Sequence, residues 1–257
     1  MAERQLKGLV LKVGPLGEYD RLLSLLSDAE GLTRLAVPNA RRPKSSLAGA
    51  VPLTLLELQV SDKGGLARVR QLRVLRNFSR LGRCFETLAS AQALCDLSLQ
   101  LIANDPVEGL LSVVLLHLEL LELNGEDIDL IIASTVQASI HLLALGGYAL
   151  PMQSCCLSGS SLDAPLGQWD WRCSLLPEEG FAIHSQPGSA MELNSSELTL
   201  LQRLTRADLP RRKDGELIGP RRVWLRLLNV VELWVYTHLE HRSKALAMLR
   251  ETLVTPE

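Results

Sequence analysis

Aromatic side chains are scarce in this chain, with three Phe, three Tyr and four Trp among 257 residues. The first 83 residues hold only Tyr19 and Phe78, and neither His nor Cys. That block therefore lacks the residues that most often ligate metals or shuttle protons at neutral pH. The five cysteines are too few and odd in number for a disulfide framework. Apolar runs are broken by His117, Glu119 and Glu122 before they reach the length of a membrane span. Met1 to Gln5 runs into strand-like sequence without the apolar core of an export signal, so a cytoplasmic protein with no membrane contact is expected. Phosphate loops are missing as well. Gly64-Gly65 reads as a turn, and Gly14-Pro15-Leu16-Gly17 lacks the Lys-Ser/Thr ending such loops require. No nucleophile and base stand in a recognisable pattern, which argues against an enzyme and a bound cofactor.

Cations, by contrast, are unevenly spread. Residues 1–83 carry fifteen Lys and Arg against seven Asp and Glu, a net +8. Residues 84–200 carry only Arg172 against fifteen acids, a net −14, and residues 201–257 return to +4 with eleven against seven. The basic block peaks at Arg41-Arg42-Pro43-Lys44, where Pro43 keeps Arg42 out of the helical region and so leaves a loop. Around it lie five stretches with strand character: Leu6–Val13, with Leu9, Leu11 and Val13 on one face and Lys12 on the other, then Arg21–Ser27, Leu32–Pro38, Pro52–Ser61 and Leu66–Leu75. Gly14–Gly17, Asp28–Gly31 and Asp62–Gly65 supply the turns. Five short strands with hairpin turns and one longer connection fit a small Greek-key barrel of the OB-fold type. Its exposed cations, Lys12, Arg21, Arg34, Arg41, Arg42, Lys44, Arg68 and Arg70, are candidates for contacting nucleic-acid phosphates. With so few aromatics, binding is expected to rest on backbone charge rather than on stacked bases.

From Ser79 the apolar period becomes helical, and a domain boundary is placed between residues 78 and 79. One helix runs to about Ile102. A second is expected to start with Asp105 as N-cap and Pro106 at its first position and to close at Asn124-Gly125. A third runs from about Asp127 to Gly146-Gly147, read as the left-handed end of that helix. Asn194 with Glu197 marks another start, and a single long helix is expected from Pro220 to about Thr252. Residues 148–191 read as an irregular insert holding Cys155, Cys156, Cys173 and His184. Adjacent cysteines chelate poorly, so no metal is expected there.

Gly8-Leu9-Val10-Leu11-Lys12, then Gly17-Glu18-Tyr19-Asp20-Arg21, Gly31-Leu32 and the Ala40–Ser45 loop, with Leu145-Gly146-Gly147-Tyr148 further on, resemble the bacterial RecO recombination mediators. The resemblance implies an α+β chain: an OB-fold, here residues 1–78, joined to a helical domain, residues 79–257. It also implies binding of single- and double-stranded DNA, annealing of complementary strands, recombinase loading on strands covered by single-strand-binding protein, and contact with RecR and with the acidic C-terminal tail of that protein. Many relatives carry two Cys pairs in a zinc finger. Here Cys155 matches the first ligand but Ser158 stands in place of the second, and the second pair is missing near Pro177–His184, so the finger is expected to be degenerate. An acidic tail needs an apolar groove rimmed by cations, and Arg203, Arg206, Arg221 and Arg222 are the expected set. The alternative function is a non-catalytic interaction module whose basic barrel binds an acidic protein partner.

Overall fold

A computed structural model describes residues 3–62, 64–102, 106–165 and 167–253. The chain opens with five strands, β1 (Glu3–Leu16), β2 (Asp20–Ser27), β3 (Gly31–Val37), β4 (Thr54–Ser61) and β5 (Arg68–Asn77), closed into a barrel in the order β1-β2-β3-β5-β4. Closure comes from β4 pairing antiparallel with β1 and from a short parallel contact between β3 and β5 at Ala36 and Arg68. Leu23, Leu25, Leu35, Leu56, Leu58 and Val60 fill the interior, with the alternation expected for β4. Gly8 makes the closure possible, because a Cβ there would lie 2.4 Å from the Leu26 carbonyl oxygen.

On β1 the expected face is reversed. Leu6 and Val10 point into the barrel, whereas Leu9 and Leu11 point out of it and join the core of the helical part. A register shift between Val10 and Lys12 then brings Val13 to the barrel side, so the three residues read as one face are divided between two cores. Such a bulge inserts one residue and changes the side to which those after it point.

A 3-10 turn, Ser79–Arg83, leads into α1 (Phe85–Leu101), α2 (Leu110–Leu123) and α3 (Ile128–Leu145). The expected Asp105 cap lies outside the described residues, and α2 starts later than expected, with Gly109 as N-cap. Pro106 is not helical; it packs on the β2–β3 turn, where a Cβ on Gly31 would lie 3.1 Å from its Cα. Asp127 caps α3 by accepting the N–H groups of Asp129 and Leu130. Gly147 takes the left-handed geometry at φ 84°, but Gly146 does not: its φ is −76° and its place is set by Leu101, 2.5 Å from where a Cβ would stand. Helix α3 is long and apolar enough to cross a membrane, yet 67% of it is buried in this fold as the central helix.

The insert is less irregular than its composition suggests. It contains a three-stranded sheet, β7-β6-β8, formed by β6 (Arg172–Leu176), β7 (Gly180–Ile183) and β8 (Met191–Asn194). The expected capping box at Asn194 and Glu197 starts α4 (Ser195–Arg203). The single long C-terminal helix is in fact two, α5 (Arg221–Leu239) and α6 (Lys244–Leu253). Glu240 breaks it at φ 50°, and the Ser243 hydroxyl accepts the Leu246 N–H to start α6.

Barrel and helices share one continuous apolar cluster that includes Leu9, Leu11, Leu26, Leu53 and Phe78. Each such side chain contributes about 1.5–3 kcal/mol when fully buried. Arg76 stacks over Phe78 at 4.5 Å and forms ion pairs with Glu119 and Glu122 of α2, which ties the last barrel strand to the helices.

Deep in the helical part, His141 Nε2–H donates to the Leu204 carbonyl at 2.9 Å, so its Nδ1 accepts from His117 Nε2–H at 3.0 Å. His117 is 1% exposed, and burial followed by its His141 neighbour lowers it from 6.5 to about 4. A histidine depressed in the folded state stays neutral there while the unfolded chain takes up protons, so stability is complete above pH 6.5 and falls as pH drops towards 4. From this group alone the loss between pH 7 and pH 5 is about 2 kcal/mol. Thermal melts should show a declining midpoint over that range, and His117→Leu should flatten the decline; an unchanged slope in the variant would remove His117 as the cause.

Candidate nucleic-acid interface

The Arg-Arg-Pro-Lys segment belongs to the β3–β4 connection, which folds over one end of the barrel as a chain of tight turns. Ala40, Leu47 and Ala50 of this connection are buried with the barrel core, so the loop closes that end as a lid whose outer surface carries Arg41, Arg42 and Lys44, all exposed. Lys44 sits in the left-handed region at φ 59° and Asn39 at φ 54°. Such backbone persists in non-glycine residues only where neighbours enforce it.

Those neighbours come from the β1–β2 hairpin and the start of β2. The Arg21 guanidinium donates to the carbonyls of Ala48 and Ala50, at 3.2 and 2.9 Å. Asp20 Oδ1 accepts the Asn39 N–H at 2.8 Å, and the Arg41 N–H donates to the Tyr19 carbonyl at 2.9 Å. Arg41 also reaches the Gly17 carbonyl at 3.4 Å, and Arg42 lies over the Tyr19 ring at 4.3 Å. Between loop and hairpin is a shallow hollow of about 290 Å³ lined by Val13, Gly14, Pro15, Arg21 and Arg41.

Of the residues singled out from the sequence, Arg21, Arg41 and Arg42 thus converge on one barrel end, with Lys44 following on the same loop. Arg68 joins them through Asp20 at 3.5 Å. Arg34 is exposed on β3, two residues before the Ala36–Arg68 pair, and Arg70 is exposed on β5, where its Nε donates to Ser61 Oγ at 2.8 Å. Lys12 stands elsewhere. It lines a cleft of about 720 Å³ at the junction of barrel and helices, together with Leu11, Phe78, Leu99, Met248 and the cationic Arg242 and Lys244. Arg21 also has a structural task, since its Nη1 donates to the loop backbone at Ala48 and Ala50. Tyr19 joins these cations, although its one signal as a contact in the sequence is an aromatic two residues after a hairpin glycine in a block that has almost none.

The C-terminal arginines do not form one group. Arg203 and Arg206 line a hollow of about 460 Å³ with Gln153, Thr199 and Gln202. Arg221 pairs with Asp129 at the start of α3, and Arg222 is exposed beside it. The Arg206 carbonyl accepts from Gln137, eight residues along α3 from Asp129, a rise of about 12 Å.

Cys155, Cys156, Cys173 and His184 of the insert are not gathered as a ligand set among the described residues. Cys173 is fully buried in β6, where burial raises its thiol to about 12. The Cys155 thiol is pushed up by burial but brought down to about 7 by hydrogen bonds from the Ser158 side chain and the N–H groups of Ile183, Ser158 and Leu157. Among the described residues no three His, Cys, Asp or Glu side chains gather as a ligand set.

Two family models match: recombination protein O N terminal over residues 1–78, and recombination protein O C terminal over residues 83–247. The chain is 70% identical to the DNA repair protein RecO of Synechococcus sp. strain CC9605, over 99% of each chain. It is 68% identical to that of Parasynechococcus marenigrum strain WH8102, over all of this chain and 96% of the relative. It is 30% identical to that of Gloeothece citriformis strain PCC 7424, over 97% and 96%.

The geometry separates two kinds of arginine. Arg21→Ala should destabilise the barrel by about 1.5–3 kcal/mol, the range for hydrogen bonds to a charged group, and urea melts measure it. The triple change Arg41→Ala, Arg42→Ala, Lys44→Ala should leave those melts within about 1 kcal/mol of the parent, as exposed charges do. Equal destabilisation in both would mean that the exposed cations also hold the lid.

Proposed function

The chain belongs to the recombination protein O family, and from that premise we propose that it is a DNA repair and recombination mediator acting in the cytoplasm at the nucleoid. It binds single- and double-stranded DNA through the lid end of the barrel, anneals complementary strands, and helps load recombinase on strands covered by single-strand-binding protein. The observation that carries this reading is the fixing of Arg41, Arg42 and Lys44, all exposed, on a loop that the barrel holds in one shape. Fixed cations meet phosphates without first losing loop entropy. Annealing needs no turnover: neutralising two repelling backbones at once brings them within pairing distance. The acids of residues 84–200 sit in the helical part, leaving the barrel end for polyanion.

Partners are the strands themselves, RecR, and the acidic tail of single-strand-binding protein. For the tail, the required apolar groove with cations at its rim is best met by the junction cleft, where Arg242 and Lys244 adjoin Leu11, Phe78 and Met248. Arg203, Arg206, Arg221 and Arg222 are the competing set, divided between the end of α4 and the start of α5.

Two measurements test this. Complementary oligonucleotides should anneal faster with the protein than without it, also when coated with cognate single-strand-binding protein; rates equal to the protein-free control would refute the mediator reading in favour of a module for acidic proteins. In the second, Arg242→Glu with Lys244→Glu should abolish binding of a tail peptide, while Arg221→Glu with Arg222→Glu should spare it; the opposite pattern would put the tail on the α5 start.

A further inference from the structure

We propose that Tyr19 and Arg42 form a stacking platform for one unpaired base, which makes the lid end of the barrel prefer single strands. The proposal rests on the DNA-binding reading above and specifies its chemistry at one position. Arg42 Cζ lies over the Tyr19 ring, 4.3 Å from its centroid, so a guanidinium and an aromatic ring are already in cation–π contact. Tyr19 keeps 40% of its surface exposed, in a barrel whose other aromatic, Phe78, is 1% exposed. A side-chain hydrogen bond with Glu18, and then burial, raise the phenol above its ordinary 10.

The pair is placed for a ligand whose phosphates lie on the lid. The Tyr19 carbonyl is bonded to the Arg41 N–H, so ring and loop cations share one rigid piece of backbone. Asp20, the next residue, holds Asn39 at the other side of the same turn. A strand whose phosphates meet Arg41 and Lys44 therefore has a flat surface beside its backbone. Bases have a π-face in common, so stacking there accepts any of them, whereas a duplex keeps its bases stacked on each other and out of reach. The scarcity of aromatics makes this one position the chief source of discrimination between single strands and duplex.

The test uses the full chain with Tyr19→Ala, Tyr19→Phe and Tyr19→Trp, each titrated with oligo(dT) and with a duplex of equal length across a salt series. A stacked base contributes about 1–3 kcal/mol, so Tyr19→Ala should lose about 5- to 150-fold in affinity for oligo(dT). Because no charge is removed, the slope of log affinity against log salt should stay the same. Duplex affinity should be unchanged, Tyr19→Phe should bind as the parent does, and the new indole in Tyr19→Trp should lose fluorescence on binding oligo(dT). Equal losses on both DNAs with a shallower slope would overturn the proposal, showing that Tyr19 only supports Arg42 as a phosphate contact. Unaltered binding in Tyr19→Ala together with an unquenched indole would also overturn it while leaving the DNA-binding reading intact. Failure of the parent protein to bind either DNA would instead refute that reading, and the platform with it.

Discussion

The geometry of the barrel end depends on the Arg21 guanidinium holding the Ala48 and Ala50 carbonyls. A loop of exposed polar residues ordinarily samples many shapes, and each residue fixed in one conformation costs about 1–2 kcal/mol. Here the cost is offset by three buried apolar side chains, Ala40, Leu47 and Ala50, and by backbone ties from Asp20 and Tyr19 on the facing hairpin. The outcome is a division of labour among like charges. One arginine turns a donor inward to set the loop, and Arg41, Arg42 and Lys44 stay exposed on its outer surface. Arg76 repeats the inward pattern at the far end of β5, where its pairs with Glu119 and Glu122 bind barrel to helices.

That junction gives the charge distribution its spatial meaning. Leu9 and Leu11 leave the barrel wall to enter the helical core, so the two halves share one apolar cluster instead of being joined by a free linker. The acids of the helical part consequently keep a fixed relation to the basic lid. On the proposed reading a polyanion is drawn to the lid end and turned away from the acidic helical middle, and long-range steering of this kind raises encounter rates at low salt.

Much of this was legible in the sequence. Period-two alternation in residues 54–61 and the hairpin glycines place the strands, and the Asn194–Glu197 box places α4, because those signals are local and follow from backbone geometry. What escaped was decided by tertiary contacts. The bulge at Leu11 has no sequence mark, and without it Val13 reads as a partner of Leu9. The break at Glu240 uses a left-handed glutamate where glycine is usual, and the four- and five-residue strands of the insert are too short to show a period. Arg21 and Arg41 look alike as letters; only the fold shows that Arg21 is half-buried with two loop carbonyls on its Nη1 while Arg41 is exposed with one weaker contact to the Gly17 carbonyl. For the same reason the C-terminal arginines, close in sequence, could be read as one cluster although α3 holds them apart.

The central claim is that the lid end of the barrel is the surface that meets DNA. Hydrogen exchange with and without oligo(dT) tests it most directly, because amide protection reports contact segment by segment. The account predicts slowed exchange in residues 14–21 and 38–50, with residues 128–145 and 195–203 unchanged. Protection confined to the helical part, with the lid and hairpin exchanging as in the free protein, would contradict it.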